Sequence, residues 1–127
     1  MSNIFTLNQR YNSLISRIIK ATPHNDINTI TYAGSNLIID CASLFFLSFH
    51  VNMISDITSI TFLNALPNGI YNIYLYVDKN NHTFYKNQGN NLKNNLYGDS
   101  IFQANNIFCI NVNYDGINFF MDIKLFN

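Results

Sequence analysis

Glutamate and tryptophan are missing from this 127-residue sequence, and charged residues make up only 11% of it. Every acid is an aspartate. Seven acidic side chains balance seven Lys and Arg, for a formal net charge of zero. That balance excludes a general electrostatic grip on nucleic acid or on an anionic membrane. Cysteine is scarce, with two residues. Cys41 and Cys109 stand far apart, form no CxxC pair and have no His at metal spacing, so no zinc or redox motif is present. They are expected as reduced, buried small hydrophobes, with a disulfide as the alternative. Long apolar runs are lacking too: Leu44 to Leu47 is far too short to span a membrane. The first residues also lack the charged, apolar, small-residue order of a secretory signal.

What is present argues for a packed core. Hydrophobic residues reach 48%, with 8 Tyr and 11 Phe, a composition opposite to that of disordered chains. The length suits one ordinary domain that needs no staples. Asn, Ile, Phe and Tyr are abundant, and their AT-rich codons fit an AT-rich genome. The Asn residues are interleaved with apolar patterns rather than gathered in a prion-like tract. They supply the neutral polarity that charges usually give to exposed faces and turns.

The hydrophobic period divides the chain. Ile4, Leu7, Tyr11, Leu14, Ile18 and Ala21 follow an a/d heptad rhythm, with Arg10 and Arg17 at g positions. Ser2 or Thr6 suits a helix N-cap, and Thr22-Pro23 stops the helix, because a residue before proline avoids the helical region. The reading is a short α-helix within residues 1–23, between about Thr6 and Ala21, that packs on its own domain or oligomerises. Arg10, Arg17 and Lys20 make a local basic patch suited to an acidic protein surface.

From Asn28 the period becomes 2, and residues 24–127 read as one β domain. Strands are expected over Asn28–Tyr32, Leu37–Cys41, Leu44–Val51, Thr58–Leu63, Ile70–Val77, His82–Lys86, Ile107–Tyr114 and Ile117–Phe126. Leu66-Pro67-Asn68-Gly69 marks a tight turn. The nearly unbroken apolar run at Ile70–Val77 suggests a central strand covered on both faces. Asn87–Gly98 reads as a long surface loop. Asp115-Gly116 suits a two-residue type I′ hairpin pairing Tyr114 with Ile117. With no strand–helix alternation to make a parallel sheet, the expected fold is all-β: an antiparallel, jelly-roll-like β-sandwich after one N-terminal helix.

Local catalytic signatures are missing. His24, His50 and His82 lie in three different elements with no metal spacing. Asp26, Asp56, Asp78, Asp99 and Asp115 fall in or beside turns, where the side chain bonds backbone amides; Asp40 and Asp122 complete the acids. No pair among them is singled out for glycosidase chemistry. No phosphate loop or nucleophile elbow occurs. No cofactor is expected. Tyr71, Tyr74, Tyr76, Tyr85, Tyr97 and Tyr114 could stack on sugars or anchor a protein partner, or simply reflect β-propensity with a polar tip in water.

Three stretches resemble a known kind of protein. Leu7-Asn8-Gln9-Arg10-Tyr11-Asn12 leading into Leu14 and Ile15 is similar to the short N-terminal helices of viral fibres. Ile60 through Tyr71 resembles their strand–Gly turn–strand unit. Phe108–Val112, Tyr114-Asp115-Gly116 and Phe119-Phe120 resemble their closing hairpin. The likeness is to small β-sandwich fibre, tail and head-decoration proteins of tailed phages and large DNA viruses. It implies a non-enzymatic, homotrimeric virion protein that contacts other capsid or tail proteins, with a host-surface glycan as a further partner. In that reading Ile4, Leu7, Tyr11, Leu14 and Ile18, rimmed by Arg10 and Arg17, form the oligomerisation or docking seam. The competing reading is a carbohydrate-binding module using exposed Tyr, for which a heptad stripe is superfluous.

Overall fold

The computed structural model describes residues 29–32, 34–42 and 48–126. These residues are all-β, with no helix among them. The expected N-terminal helix, and with it Ile4, Leu7, Arg10, Tyr11, Leu14, Arg17 and Ile18, lies outside the described residues.

Ten strands follow one another: β1 Thr29–Thr31, β2 Asn36–Asp40, β3 Ser48–Met53, β4 Ser59–Leu63, β5 Ile70–Val77, β6 His82–Phe84, β7 Leu92–Asn94, β8 Ser100–Phe102, β9 Ile107–Tyr114 and β10 Phe119–Leu125. They build a six-stranded sheet in the order β1-β3-β5-β9-β10-β7, flanked by two-stranded sheets β2-β4 and β6-β8. The first three strands of the large sheet run parallel, and so do β2 and β4. Ile30 lies beside Val51 and Val51 beside Leu75, separations of 21 and 24 residues. Leu37 lies beside Ile60, a separation of 23 residues. A near-constant period of this size, with each strand stacked on its counterpart one turn later, is the course of a short β-solenoid.

The solenoid ends where the chain reverses. β9 pairs antiparallel with β5, and β10 antiparallel with β9. β8 likewise pairs antiparallel with β6. These pairings close the last coil, and β7 then flanks β10 in parallel over Phe119–Met121.

The expected antiparallel sandwich is therefore corrected. Parallel strands need a long crossover, and helices are its usual substance. Here the crossover from β3 to β5 is itself a strand, β4, belonging to another sheet. Alternation reports which face of a strand is buried; it does not report which strand lies alongside. A second correction concerns Asn87–Gly98, which holds β7 rather than being only a loop; β8 follows directly after it.

Inward residues form continuous ladders across the large sheet. Phe49, Ile73, Ile110 and Ile123 are aligned, as are Tyr71, Val112 and Met121, and all are buried. Leu37, Ile39 and Ile60 bring the β2-β4 sheet into the same core. Two aromatic columns tie the small sheets to the large one. Phe84, Phe102 and Phe108 stack with ring centroids 5.0 and 3.8 Å apart. Phe62, Phe119 and Tyr114 stack at 4.4 and 4.0 Å. Ile70–Val77 is central as expected, but only one face is fully buried; Asn72, Tyr74 and Tyr76 on the other remain partly accessible.

Turn chemistry differs in detail from expectation. In Leu66–Gly69 the amide of Gly69 donates to the Leu66 carbonyl at 2.9 Å, and it is Asn68, at φ 66°, that takes the left-handed position. Gly69 serves a different end: a Cβ there would come within 2.5 Å of the Tyr71 hydroxyl. The closing hairpin pairs Tyr114 with Phe119, not with Ile117, so its loop runs from Asp115 to Asn118. Only Gly116 in that loop has a positive φ, 101°. Asp115 instead accepts the amides of Ile117 and Asn118 at 2.8 and 2.6 Å, which stabilises a wider loop than the type I′ turn.

Candidate functional site

The titratable groups are largely bound into the scaffold. Asp40 accepts the Ala42 amide at 3.0 Å and the Asn64 carboxamide at 2.9 Å. Asp56 accepts the Thr83 amide, Asp78 the Asn80 amide and Asp99 the Lys86 amide, at 2.8 to 2.9 Å. Asp122 accepts from the Asn95 carboxamide. These bonds favour the ionised acid, so the Asn64 and Ala42 donors hold Asp40 below the ordinary carboxylate value. The Asn80 amide, then the neighbouring His82, does the same for Asp78, and the Asn118 and Ile117 amides for Asp115. His82 bridges two coils, with Nε2 2.7 Å from Asp78 and Nδ1 3.9 Å from Asp56.

Cys41 is buried and Cys109 half-buried, and both are free thiols. Burial pushes the Cys41 thiol up to about 11, which keeps it protonated and inert. Among the described residues no His, Cys and Asp side chains gather as a metal site. His24 and Asp26 lie outside the described residues.

The tyrosines are dispersed rather than aligned on one platform. Tyr71 is buried, its hydroxyl accepting the Leu66 amide at 3.0 Å. Tyr114 is in the second aromatic column. Tyr74 and Tyr76 stand on the outer face of the large sheet on either side of His50, stacked at centroid distances of 5.3 and 5.6 Å. The Tyr76 hydroxyl lies 2.7 Å from His50 Nδ1, and Phe126 meets Tyr74 edge-on. Those rings therefore engage one another. Tyr97 is different: it is fully exposed, and Tyr85, just past the end of β6, is partly exposed.

One concavity among the described residues lies in the segment that the sequence presents as a plain loop. A cleft of about 660 Å³ is lined by residues from Lys86 to Asn94 together with Gly98 and Asp99. Its frame is stitched by side chains. Asn94 donates to the Lys86 carbonyl at 2.8 Å and accepts the Leu96 amide at 3.0 Å. The Lys86 ammonium donates to the Leu96 carbonyl and to the side-chain Oδ1 of Asn94, 3.4 Å away. Buried Gln88 pins the floor of the segment by donating to the carbonyls of Ile57 and Tyr85. Lys93 donates to the Asn90 carbonyl at 3.3 Å. Asn87 and Asn90, by contrast, use their side-chain amides for no hydrogen bond to another described residue.

Sequence reasoning missed this cleft. Its lining has no period and no motif; the only signal is the density of Asn between two glycines, which also describes any solvated loop. Comparison with family models, curated proteins and solved structures finds no match to this chain.

Proposed function

We propose that this protein is a non-enzymatic structural module, a capsid- or tail-attached fibre or decoration protein of a virion, which displays its β domain and oligomerises as a trimer through its N-terminal heptad stripe. The observation that carries the reading is the use made of the acids. Asp40, Asp56, Asp78, Asp99 and Asp115 each have a carboxylate oxygen on a backbone amide, as scaffold residues do. The stacked coils with a closing hairpin suit a rigid display unit, and the neutral, Asn-rich surface suits crowded packing among other particle proteins. The resemblance of the helix, turn and hairpin stretches points the same way.

The test is the native mass of the full chain, followed by localisation on purified particles. A trimer present on particles is expected. Leu14→Asp with Ile18→Asp should then yield soluble monomers with the β domain still folded. A wild-type monomer that is absent from particles would refute the reading.

A further inference from the structure

We propose that the 86–99 cleft is a binding site for a neutral saccharide, which deepens the reading of a displayed module by giving it a ligand class. Size comes first: about 660 Å³ lies within the usual range of ligand clefts. The lining is the second argument. Leu92 is its one large apolar side chain, set among asparagines, lysines and glycines. Carboxamides both donate and accept, which matches neighbouring sugar hydroxyls that do the same. Asn87 and Asn90 supply such groups unused by other described residues.

Charge is the third argument. Lys86, Lys93 and Asp99 line the cleft. Lys86 is turned toward Leu96 and Asn94, and Asp99 holds the Lys86 amide. An anionic ligand would meet mainly Lys93, which is weakly held by Asn90. Fourth, Tyr97 precedes the lining Gly98 in the chain and leaves its ring fully exposed, available to stack on a pyranose face. Finally, the Asn94 and Lys86 bonds fix the frame before any ligand arrives, which lowers the ordering cost of binding.

The experiment uses the full chain on an array of neutral oligosaccharides beside sialylated and sulfated ones. Two variants accompany it, Tyr97→Ala and Asn87→Ala with Asn90→Ala, each checked for an unchanged melting temperature. Neutral members should be retained equally in low salt and in about 0.5 M salt, where exposed charge pairs are screened. Both variants should weaken retention by about tenfold, the loss of one to two net hydrogen bonds or of a stacked ring. Three results would overturn the proposal: no saccharide retained by the wild type, retention of acidic members only with loss in salt, or retention indifferent to both variants. Native mass and particle localisation are read separately. A particle-bound trimer that retains no saccharide would sink this inference and leave the structural reading intact.

Discussion

The pairing of short polar side chains with backbone amides decides much of the architecture at the scale of single residues. Asn64, Asn68 and Asn105 take left-handed backbone positions that larger side chains resist. Asp40, Asp78 and Asp115 accept amides two or three residues further along, a preference that depends on neighbours in the chain and so is legible in the sequence. Asp56 and Asp99 instead hold the amides of Thr83 and Lys86, 27 and 13 residues away, which no local pattern shows. Asp115 shows the energetic consequence. Its folded value lies below the ordinary 3.8 because the Asn118 and Ile117 amides favour the charged form. Its stabilising contribution is therefore complete above the unfolded value and is lost as pH falls through the folded one. Asp115→Asn keeps an acceptor but not the charge. It should melt lower than wild type at neutral pH, with the gap closing below about pH 4 in melting curves taken across the acid range.

Elements are where sequence and structure part company. Seven of the eight anticipated strands overlap observed ones, and Leu44–Val51 is matched over its described part, β3. That much follows from alternation. The direction of pairing did not follow, since Val51 would alternate identically beside an antiparallel neighbour. β7 was hidden because Leu92-Lys93-Asn94 is too short to show a period. The closing loop offers a test. Gly116 at φ 101° should resist a β-branched side chain, and Gly116→Val should cost roughly 1 kcal/mol or more in chemical denaturation.

The outer edge of β10 carries a second element-scale device. Beyond its short pairing with β7, the carboxamide of Asn95 accepts the Ile123 amide at 2.8 Å and donates to the Ile123 carbonyl at 2.9 Å. A side chain thus stands in for a neighbouring strand. Open strand edges invite pairing with other chains. Asn95→Ala should lose about 1–3 kcal/mol of stability. It should also associate with rising concentration in analytical ultracentrifugation. A variant that stays monodisperse and equally stable would remove the role assigned to Asn95.

For the whole molecule, cohesion rests on the aromatic columns. Phe102 is buried between Phe84 and Phe108 and so joins the β6-β8 sheet to the large sheet. Phe102→Ala should cost about 3–5 kcal/mol in equilibrium unfolding, the usual range for emptying a core aromatic site. A cost under about 1 kcal/mol would mean that the sheets are joined elsewhere. The candidate site also belongs to this scale, because its lining is assembled from a segment held at one end by β6, at the other by β8, and in the middle by β10. No local pattern in the chain could announce it.

The antiparallel hairpin that closes the solenoid also has a bearing on time. β9 and β10 are joined by a four-residue loop and paired over seven positions, whereas each parallel pairing must first close a loop of twenty residues or more. Short loops close fastest, so folding should begin at the hairpin, draw in β5, and wind the coils backward toward β1. The ribosome delivers the segments in the opposite order. The earliest coils would then emerge without a template and wait for β9 and β10. A chain stopped after Asn106 should remain unfolded by circular dichroism, and one that folds would place the nucleus in the coils instead.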